Sequence, residues 1–157
     1  MSASKARPVR PGGANPRSRA QRRADTERLL ADERHLWLAS GGPRPHLVPL
    51  AYVWDGGVIT MVTRRATRTA RNLLADGVVR AAFGSATDVV LVDGTVELTE
   101  PAEDPADVRA RYARLPLDPA RVPGAVGVRL TPRRILAWRS LAELEHRVIM
   151  DDGVWLT

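Results

Sequence analysis

Apolar residues recur along the chain in short runs rich in β-branched side chains, and turn-forming residues separate these runs. Short runs of this kind, bounded by turn signals, are typical of β-strands. They predict strands over residues 36–40, 46–54, 58–63, 78–84, 88–100, 126–130 and 135–139. Turns at residues 41–45 and 55–57 and around Pro132 connect neighbouring strands, the last two as hairpins.

Three other segments favour helices. Residues 25–32 and 67–76 predict short helices, and Asp104 and Pro105 predict the N-cap and first residue of a third. The apolar face of this third helix consists of Val108, Tyr112 and Leu115. Six or seven strands with two or three short helices predict a mainly β protein, whose mostly antiparallel sheet closes into a small barrel.

Irregular positions are also predicted within and after these strands. Pro49 cannot donate a backbone hydrogen bond, so it indicates a bulge or a position without a ladder partner. Gly94 indicates a bend in a long strand. Asp151, Asp152 and Gly153 predict a turn rather than a cation site.

The formal net charge of +6 is concentrated at the amino terminus. Residues 1–23 contain seven of the 24 basic residues and no acidic one, which leaves 17 basic against 18 acidic residues elsewhere. Proline and glycine are frequent there, so we expect residues 1–24 to form a disordered, solvated basic tail. Residues 25–157 then form one domain. Contact of the tail with nucleic acid or anionic lipid, or a role as a transit peptide, are the alternatives.

Composition and spacing exclude several chemistries. The chain has no cysteine, which excludes disulfides, thiolate metal sites and cysteine nucleophiles. His35, His46 and His146 have no paired spacing, so neither a metal site nor a nucleophile–histidine pair is predicted. No apolar run approaches the roughly 18 residues of a membrane-spanning helix, and no secretory signal is visible, so we expect a cytosolic protein.

Four tryptophans stand out in a chain with a single phenylalanine. Core packing is the usual use of such side chains, and we predict it for Trp37, Trp54, Trp138 and Trp155. A wall for a planar ligand, or a subunit interface, is the alternative for Trp138 and Trp155.

A predicted anion site lies where the third predicted strand meets the second predicted helix. Arg64 and Arg65 end the strand, and Thr67, Arg68 and Thr69 occupy the helix start. Unpaired backbone N–H groups and the positive end of the helix dipole point towards the same place, which favours a phosphate. A solvated, arginine-rich helix start is the alternative, because 23 arginines against one lysine indicate a coding bias.

Two stretches, HLVPLAYVWDGGVITMVTRRATRTARNL and VVRAAFGSATDVVLVDGTVE, resemble the flavin-binding split barrels of the pyridoxamine 5'-phosphate oxidase-like superfamily. The likeness extends over residues 26–155 and is strongest to small flavin- and deazaflavin-dependent reductases. It implies a six-stranded antiparallel split β-barrel that forms a homodimer and binds flavin in clefts between the subunits.

The resemblance also implies which residues hold the cofactor. The strand residues that match the family's flavin contacts are His46, Leu47, Val48, Pro49, Leu50 and Ala51. Val62 and Thr63, at the end of the next strand, would lie along the cofactor. The family's Ser-Arg-Lys phosphate element maps onto Thr67, Arg68 and Thr69.

Two departures from the family pattern bear on function. Thr69 stands where the family has a lysine, and Arg64 or Arg65 is the candidate replacement, because guanidinium pairs well with phosphate oxygens. Near the C-terminus the chain reads RRILAWRSLAE and lacks the motif that holds the substrate phosphate in pyridoxamine phosphate oxidases, so pyridoxal phosphate synthesis is not expected.

The sequence therefore predicts a dimeric, flavin-dependent oxidoreductase that binds FMN and moves hydride to or from a small organic substrate. No catalytic side chain is assigned, because the reaction would take place on the cofactor ring. The deazaflavin coenzyme F-420 is the alternative cofactor, and a non-catalytic binder of flavin or haem is the alternative function. Nucleic-acid binding would rest on residues 1–23 alone.

Overall fold

The computed structural model describes residues 15–157, so residues 1–14 of the predicted basic tail lie outside the described part. The helices are α1 (Arg19–Asp32), α2 (Arg68–Ala75) and α3 (Ala106–Tyr112), with a 3-10 turn at Leu141–Glu143. The strands are β1 (His35–Ser40), β2 (His46–Trp54), β3 (Ile59–Arg64), β4 (Val78–Ser85), β5 (Asp88–Thr99), β6 (Ala125–Trp138), β7 (Val148–Asp151) and β8 (Val154–Trp155). None of the described helices has the length and apolar character needed to cross a bilayer.

Six of the strands form a closed antiparallel barrel. Neighbouring strands follow the order β3-β2-β1-β4-β5-β6, and β6 pairs with β3 to close the ring. The short strands β7 and β8 continue the sheet beyond β6. The prediction of a mainly β, six-stranded antiparallel split barrel is confirmed.

The strand β6 is continuous, whereas the sequence predicted two strands in a hairpin around Pro132. The register between β5 and β6 shifts between Asp93 and Gly94, and Gly94 lies opposite Pro132. A Cβ on Gly94 would lie 2.2 Å from the carbonyl oxygen of Thr131, so a residue with a side chain does not fit here. The irregularity accommodates a proline that cannot donate, and the strand therefore continues instead of turning back.

The first half of β2 is paired on one side only. Residues 46–51 pair with β1, and among the described residues only residues 52–54 pair with β3. Pro49 lies opposite Trp37 in an unbroken register, so the bulge considered for this position is absent and Pro49 has no ladder partner on the β3 side. The barrel wall is thus open on the β3 side of this half strand.

Two clusters of buried apolar side chains hold the elements together. The larger one fills the barrel and includes Leu30 of α1 and Leu73 of α2. The ring of Tyr52 stands edge-on to that of Phe83, with 5.2 Å between the ring centroids, and its hydroxyl donates a 2.8 Å hydrogen bond to the Leu30 carbonyl. The smaller cluster joins α3 to the outer face of the barrel and consists of Val53, Val62, Val108, Tyr112, Leu115 and Ala125.

The predicted third helix is present, but its cap differs from the prediction. The N-cap of α3 is Pro105 and makes no side-chain hydrogen bond, so the prediction of Asp104 as N-cap is wrong. The buried Asp104 carboxylate instead accepts hydrogen bonds from the hydroxyls of Tyr112 at 2.5 Å and Thr99 at 2.6 Å. Burial, together with the Asp104 contact, raises the pKa of Tyr112 to about 12. Asp104 therefore ties α3 to β5.

The structure corrects the amino-terminal boundary of the folded part. Helix α1 begins at Arg19, whereas the sequence predicted a helix from residue 25 and a disordered segment before it. Ser18 and Gln21 form a capping box, in which each side chain accepts a hydrogen bond from the other residue's backbone amide. Residues 19–24 are therefore helical.

Two arginines that the charge analysis assigned to the solvated tail are buried against the barrel. Arg17 contacts Glu143, with Nη2 2.9 Å from Oε2, and also Asp25, with Nη1 2.9 Å from Oδ2. Arg22 donates to the His146 carbonyl at 2.6 Å. These partners lie mostly at the other end of the chain, so local composition could not reveal them.

The tryptophans only partly follow the prediction of core packing. Trp54 and Trp155 pack against the main core, and the guanidinium of Arg23 lies 4.8 Å from the centroid of the Trp155 ring. Trp37 on β1 is 52% exposed, so the prediction is wrong for this residue.

The predicted turn after β7 is present, and Asp152 has a positive φ of 49° there.

Candidate functional site

Helix α2 begins with a side-chain cap at Thr67, as its sequence predicts. The Thr67 hydroxyl accepts a hydrogen bond from the amide of Ala70 at 3.2 Å and donates one to the carbonyl of Arg64 at 2.8 Å. The hydroxyl of Thr63, at the end of β3, lies 3.2 Å from the same oxygen. Thr67 therefore fixes the turn between β3 and α2, and its proton is already engaged.

Two backbone amides at this helix start lack an acceptor. Within residues 15–157, the N–H groups of Arg68 and Thr69 make no hydrogen bond, whereas the next amide, that of Ala70, is capped. Free amides at the positive end of a helix dipole attract an anion. This turn is suited to bind a phosphate oxygen.

The side chain of Thr69 is paired with the first residue of β2. Its hydroxyl lies 2.9 Å from Nε2 of His46. Thr69 is only 4% exposed, and His46 is half-buried. The contact joins β2 to α2 and so brings together two of the segments that the sequence assigned to cofactor binding.

A cleft of about 340 Å³ lies beside α2, and we call it the arginine cleft because Arg44, Arg68 and Arg71 line it together with Pro43 and Asn72. Arg68 and Arg71 lie on the same face of the helix, and Arg44 comes from the β1–β2 loop. No ion pair among residues 15–157 involves these three guanidinium groups. The cleft therefore presents positive charge that the described carboxylates leave unneutralised.

The two arginines predicted to replace the family's lysine have different surroundings. The guanidinium of Arg65 forms an ion pair with Glu100, and its amide donates to the Gly124 carbonyl at 2.8 Å. Arg64 is exposed at the end of β3 and forms no ion pair within the described residues. Neither lines the arginine cleft. Of the two, Arg64 has the freer charge.

The predicted contacts on β2 lie on both faces of the strand. Leu47 is 58% exposed, and Pro49 is exposed on the same face. Val48 and Leu50 are half-buried on the opposite face, where Leu50 packs against the main core. Ala51 packs against the α3 cluster. One planar ligand therefore cannot contact all of these side chains within a single protomer.

The two predicted contacts at the end of β3 are covered in the protomer. Val62 is 5% exposed because it packs in the cluster under α3. Thr63 is equally buried, and its hydroxyl contacts Thr67. Both side chains are therefore covered in the protomer, and their contact with a cofactor stays a prediction.

Two residues that line the arginine cleft, Arg44 and Arg71, were not among the predicted site residues. Arg71 could have been found, because its spacing of three from Arg68 places both on one helix face. The sequence around Arg44 predicts only a turn, and no local pattern indicates that this turn lies beside α2.

The closed barrel, with α2 after its third strand, is the architecture of a split-barrel protein. A match to a sequence profile identifies the family. A family profile described as pyridoxamine 5'-phosphate oxidase matches residues 23–139, which include the barrel strands β1 to β6 and α2. The chain belongs to the pyridoxamine 5'-phosphate oxidase family.

Solved structures with the same architecture have different described roles. A conserved hypothetical protein from Mycobacterium tuberculosis has 25% sequence identity and a TM-score of 0.58, and the match covers 74% of this chain and 83% of that one. An F420 reductase has 23% identity and a TM-score of 0.54, with 69% and 94% covered. The heme storage protein HutZ from Vibrio cholerae has 15% identity and a TM-score of 0.62, with 77% and 98% covered.

These similarities establish a shared fold and leave the ligand open, since the names of the neighbours refer to different ligands. A search of proteins with curated descriptions gives no match.

Proposed function

We propose that this protein is an oxidoreductase of the family that binds FMN at the start of α2 and transfers hydride to or from a small organic molecule. The observation that carries the proposal is the pair of free amides of Arg68 and Thr69 beside the arginine cleft. A phosphate monoester carries a charge of about −1.5 to −2 near neutral pH and offers three acceptor oxygens. These donors and charges match that group.

Each residue of the helix start has a distinct part in this proposal. Arg68 would contact the phosphate directly, since guanidinium forms paired hydrogen bonds with phosphate oxygens. Thr67 holds the turn through its cap, and the contact between Thr69 and His46 keeps β2 against α2. Arg64 would lie at the margin of the site, where its exposed charge attracts the anion.

The chemistry would belong to the flavin ring when it is bound, which explains why no acid–base pair is required of the protein. The chain would orient the ring and limit its contact with water. The half-buried residues Val48 and Leu50 and the exposed residues Leu47 and Pro49 remain the proposed ring contacts on β2. Since these pairs lie on opposite faces of the strand, contacts to one ring would have to come from two protomers.

We further propose that two copies associate through the outer face of β1 and β2. Trp37 and Leu47 are 52% and 58% exposed. Pro49 lies directly opposite Trp37, so the three side chains form one apolar surface. Exposed apolar surfaces of this kind mark protein interfaces, and a homodimer is what the family resemblance implies.

Coenzyme F-420 is the second candidate cofactor. The feature that favours it is Thr69, which replaces the cation expected in an FMN phosphate site. The structural similarity to an F420 reductase is compatible with this choice. A non-catalytic binder of flavin or haem is the second candidate function, and the similarity to a heme storage protein is compatible with it.

Direct titration tests these choices. The purified protein is examined for a visible spectrum and then titrated separately with FMN, coenzyme F-420 and haem. A dissociation constant weaker than about 100 μM for both FMN and F-420, or about −5.5 kcal/mol, would refute the cofactor proposal. Tight binding of haem alone would identify the protein as a haem binder.

Hydride transfer needs a separate measurement. The loaded protein is mixed under anaerobic conditions with NADH, NADPH or a reduced deazaflavin, and the flavin absorbance is followed. Reduction and subsequent reoxidation by an organic acceptor support the oxidoreductase. A flavin that binds but is neither reduced nor reoxidised by any of these partners supports the non-catalytic alternative.

A further inference from the structure

The lysine that is missing at Thr69 raises the question of which residue supplies the second positive charge. We infer that Arg44, on the β1–β2 loop, is an anion-binding residue of this site and supplies this charge together with Arg71. The inference rests on the proposed function, because it assumes that the arginine cleft receives the phosphate. It assigns a binding role to a loop that sequence analysis treated only as a turn.

The loop that carries Arg44 is seated on α2 by a close backbone approach. Gly42 has a φ of +142°, in the region that favours glycine. A Cβ added to Gly42 would lie 2.8 Å from Oδ1 of Asn72, so the absence of a side chain lets the loop approach the helix. The other end of the Asn72 amide donates a 3.1 Å hydrogen bond to the hydroxyl of Ser40. Asn72 is thus bonded to the end of β1 and lies against Gly42 of the loop that follows.

This seating has a direct consequence for Arg44, which lies two residues after Gly42. It brings the Arg44 side chain to the same cleft as Arg68 and Arg71. Pro43 and Pro45 flank Arg44 in the sequence and restrict its backbone. The loop conformation therefore places Arg44 beside the helix start, and no ion pair is needed to hold it there.

The charge of Arg44 is available for a ligand. Within residues 15–157, Arg44 takes part in no ion pair, and residues 1–14 contain no aspartate or glutamate. Arg71 donates one bond, from Nη1 to the Ala66 carbonyl at 3.1 Å, which leaves its other donors for the cleft. Arg65, in contrast, is paired with Glu100.

The chemical class that fits is a phosphate ester. Guanidinium groups are planar donors that match phosphate oxygens in pairs. The cleft adds Arg44 and Arg71 to Arg68 and to the two free amides of α2. Together they replace the single ammonium that the family places at the position of Thr69.

The test compares FMN with riboflavin, which lacks the phosphate. The dissociation constant of riboflavin divided by that of FMN measures the contribution of the phosphate in each variant. Arg44→Ala should lower this ratio about tenfold, because one charge-assisted contact is lost. Arg133→Ala is the matched control, since Arg133 is an exposed arginine on β6 that pairs with Asp152, away from the cleft. An unchanged ratio in Arg44→Ala overturns the inference.

A second variant tests the seating of the loop. Gly42→Ala should weaken FMN binding without removing any charge, provided that circular dichroism shows an intact fold. In the Arg44→Ala background the same change should have no further effect on the phosphate ratio, since the two changes act through one contact. Additive losses would show that Gly42 acts through general stability and would remove the support from this loop.

Inorganic phosphate separates failure of the inference from failure of the proposed function. Phosphate should raise the melting temperature of the wild type above that in chloride at equal ionic strength, and Arg44→Ala should lose most of this rise. If this occurs while no flavin binds, the anion site stands and the proposed function fails. If FMN is preferred over riboflavin and only Arg68→Ala removes the preference, the proposed function stands and the role of Arg44 is refuted. No stabilisation of the wild type by phosphate also refutes it.

Discussion

Nε2 of His46 and Oγ1 of Thr69 lie 2.9 Å apart, and this pair connects the first residue of β2 to the first turn of α2. By the family resemblance, the position of Thr69 carries a lysine whose ammonium would face the phosphate. In this chain the position is buried and serves to hold two elements together. Three arginines on the helix face and the neighbouring loop, Arg68, Arg71 and Arg44, line the cleft beside α2.

The contact between Thr69 and His46 should contribute to stability. Thr69→Val keeps the shape of the side chain and removes the hydroxyl, so we expect the free energy of unfolding to fall by about 1 kcal/mol. Urea denaturation measures the change. Thr95→Val is the control, because Thr95 is exposed on β5 and makes no side-chain hydrogen bond among the described residues. Equal effects of the two substitutions would contradict a specific role for the pair.

Arg68 should dominate the binding of the phosphate. We expect Arg68→Ala to weaken FMN binding by about 1.5–3 kcal/mol, because a charge-assisted contact is lost at the helix start. Riboflavin binding should change little, since riboflavin has no phosphate. Isothermal titration of both ligands measures this, and an unchanged dissociation constant for FMN would mean that its phosphate lies elsewhere.

The strands and the start of α2 could be predicted because their signals are local. Short apolar runs rich in β-branched residues and bounded by turn residues define the barrel strands, and a threonine before a helical pattern defines a cap. The hairpin around Pro132 was wrong for a physical reason that is not local. Pro132 has no backbone N–H to donate, and it lies opposite Gly94 on β5, where the register between the two strands shifts.

The candidate site was only half predictable for the same reason. Thr67 and Arg68 lie where the pattern places them. Arg44 reaches the site because Gly42 approaches Asn72, a contact between residues 30 positions apart. Arg17 was assigned to a solvated tail because its buried partner, Glu143, lies 126 positions away. Charge counts along a chain cannot identify such partners.

The outer face of β1 and β2 should control assembly. We expect Trp37→Arg and Leu47→Arg each to convert a dimer into a monomer, because each places a charge in the apolar surface that the partner would cover. Analytical ultracentrifugation over a range of protein concentrations measures the association. Val154→Arg, at an exposed apolar position on β8, is the control. A wild type that is monomeric at all concentrations, or variants that remain dimeric, would contradict this interface.

The buried carboxylate of Glu143 should make stability depend on acid pH. It accepts bonds from the side chain and amide of Arg17 and from the amide of Arg139, and the Arg17 side chain is the main reason that its pKa is lowered to about 2. Glu143→Gln removes the most deeply buried counter-ion of Arg17 and leaves it only the more exposed carboxylates of Asp25 and Asp88. We therefore expect a loss of about 2 kcal/mol at neutral pH. Urea denaturation of both proteins measures the difference.

The direction of the pH effect follows from the lowered pKa. An unfolded glutamate has a pKa of about 4.3, so the ionised form stabilises the fold fully above that pH. As the pH falls from about 4.3 to about 2, Glu143 takes up a proton in the unfolded chain before it does so in the folded protein. The free energy that the ionised carboxylate contributes to folding is therefore lost over this range. The difference between the wild type and Glu143→Gln should therefore shrink between about pH 4.3 and about pH 2. Glu145→Gln is the control, since Glu145 is exposed and makes no side-chain hydrogen bond in the described part of the chain. A difference that stays constant over this range would show that Glu143 does not carry the acid sensitivity.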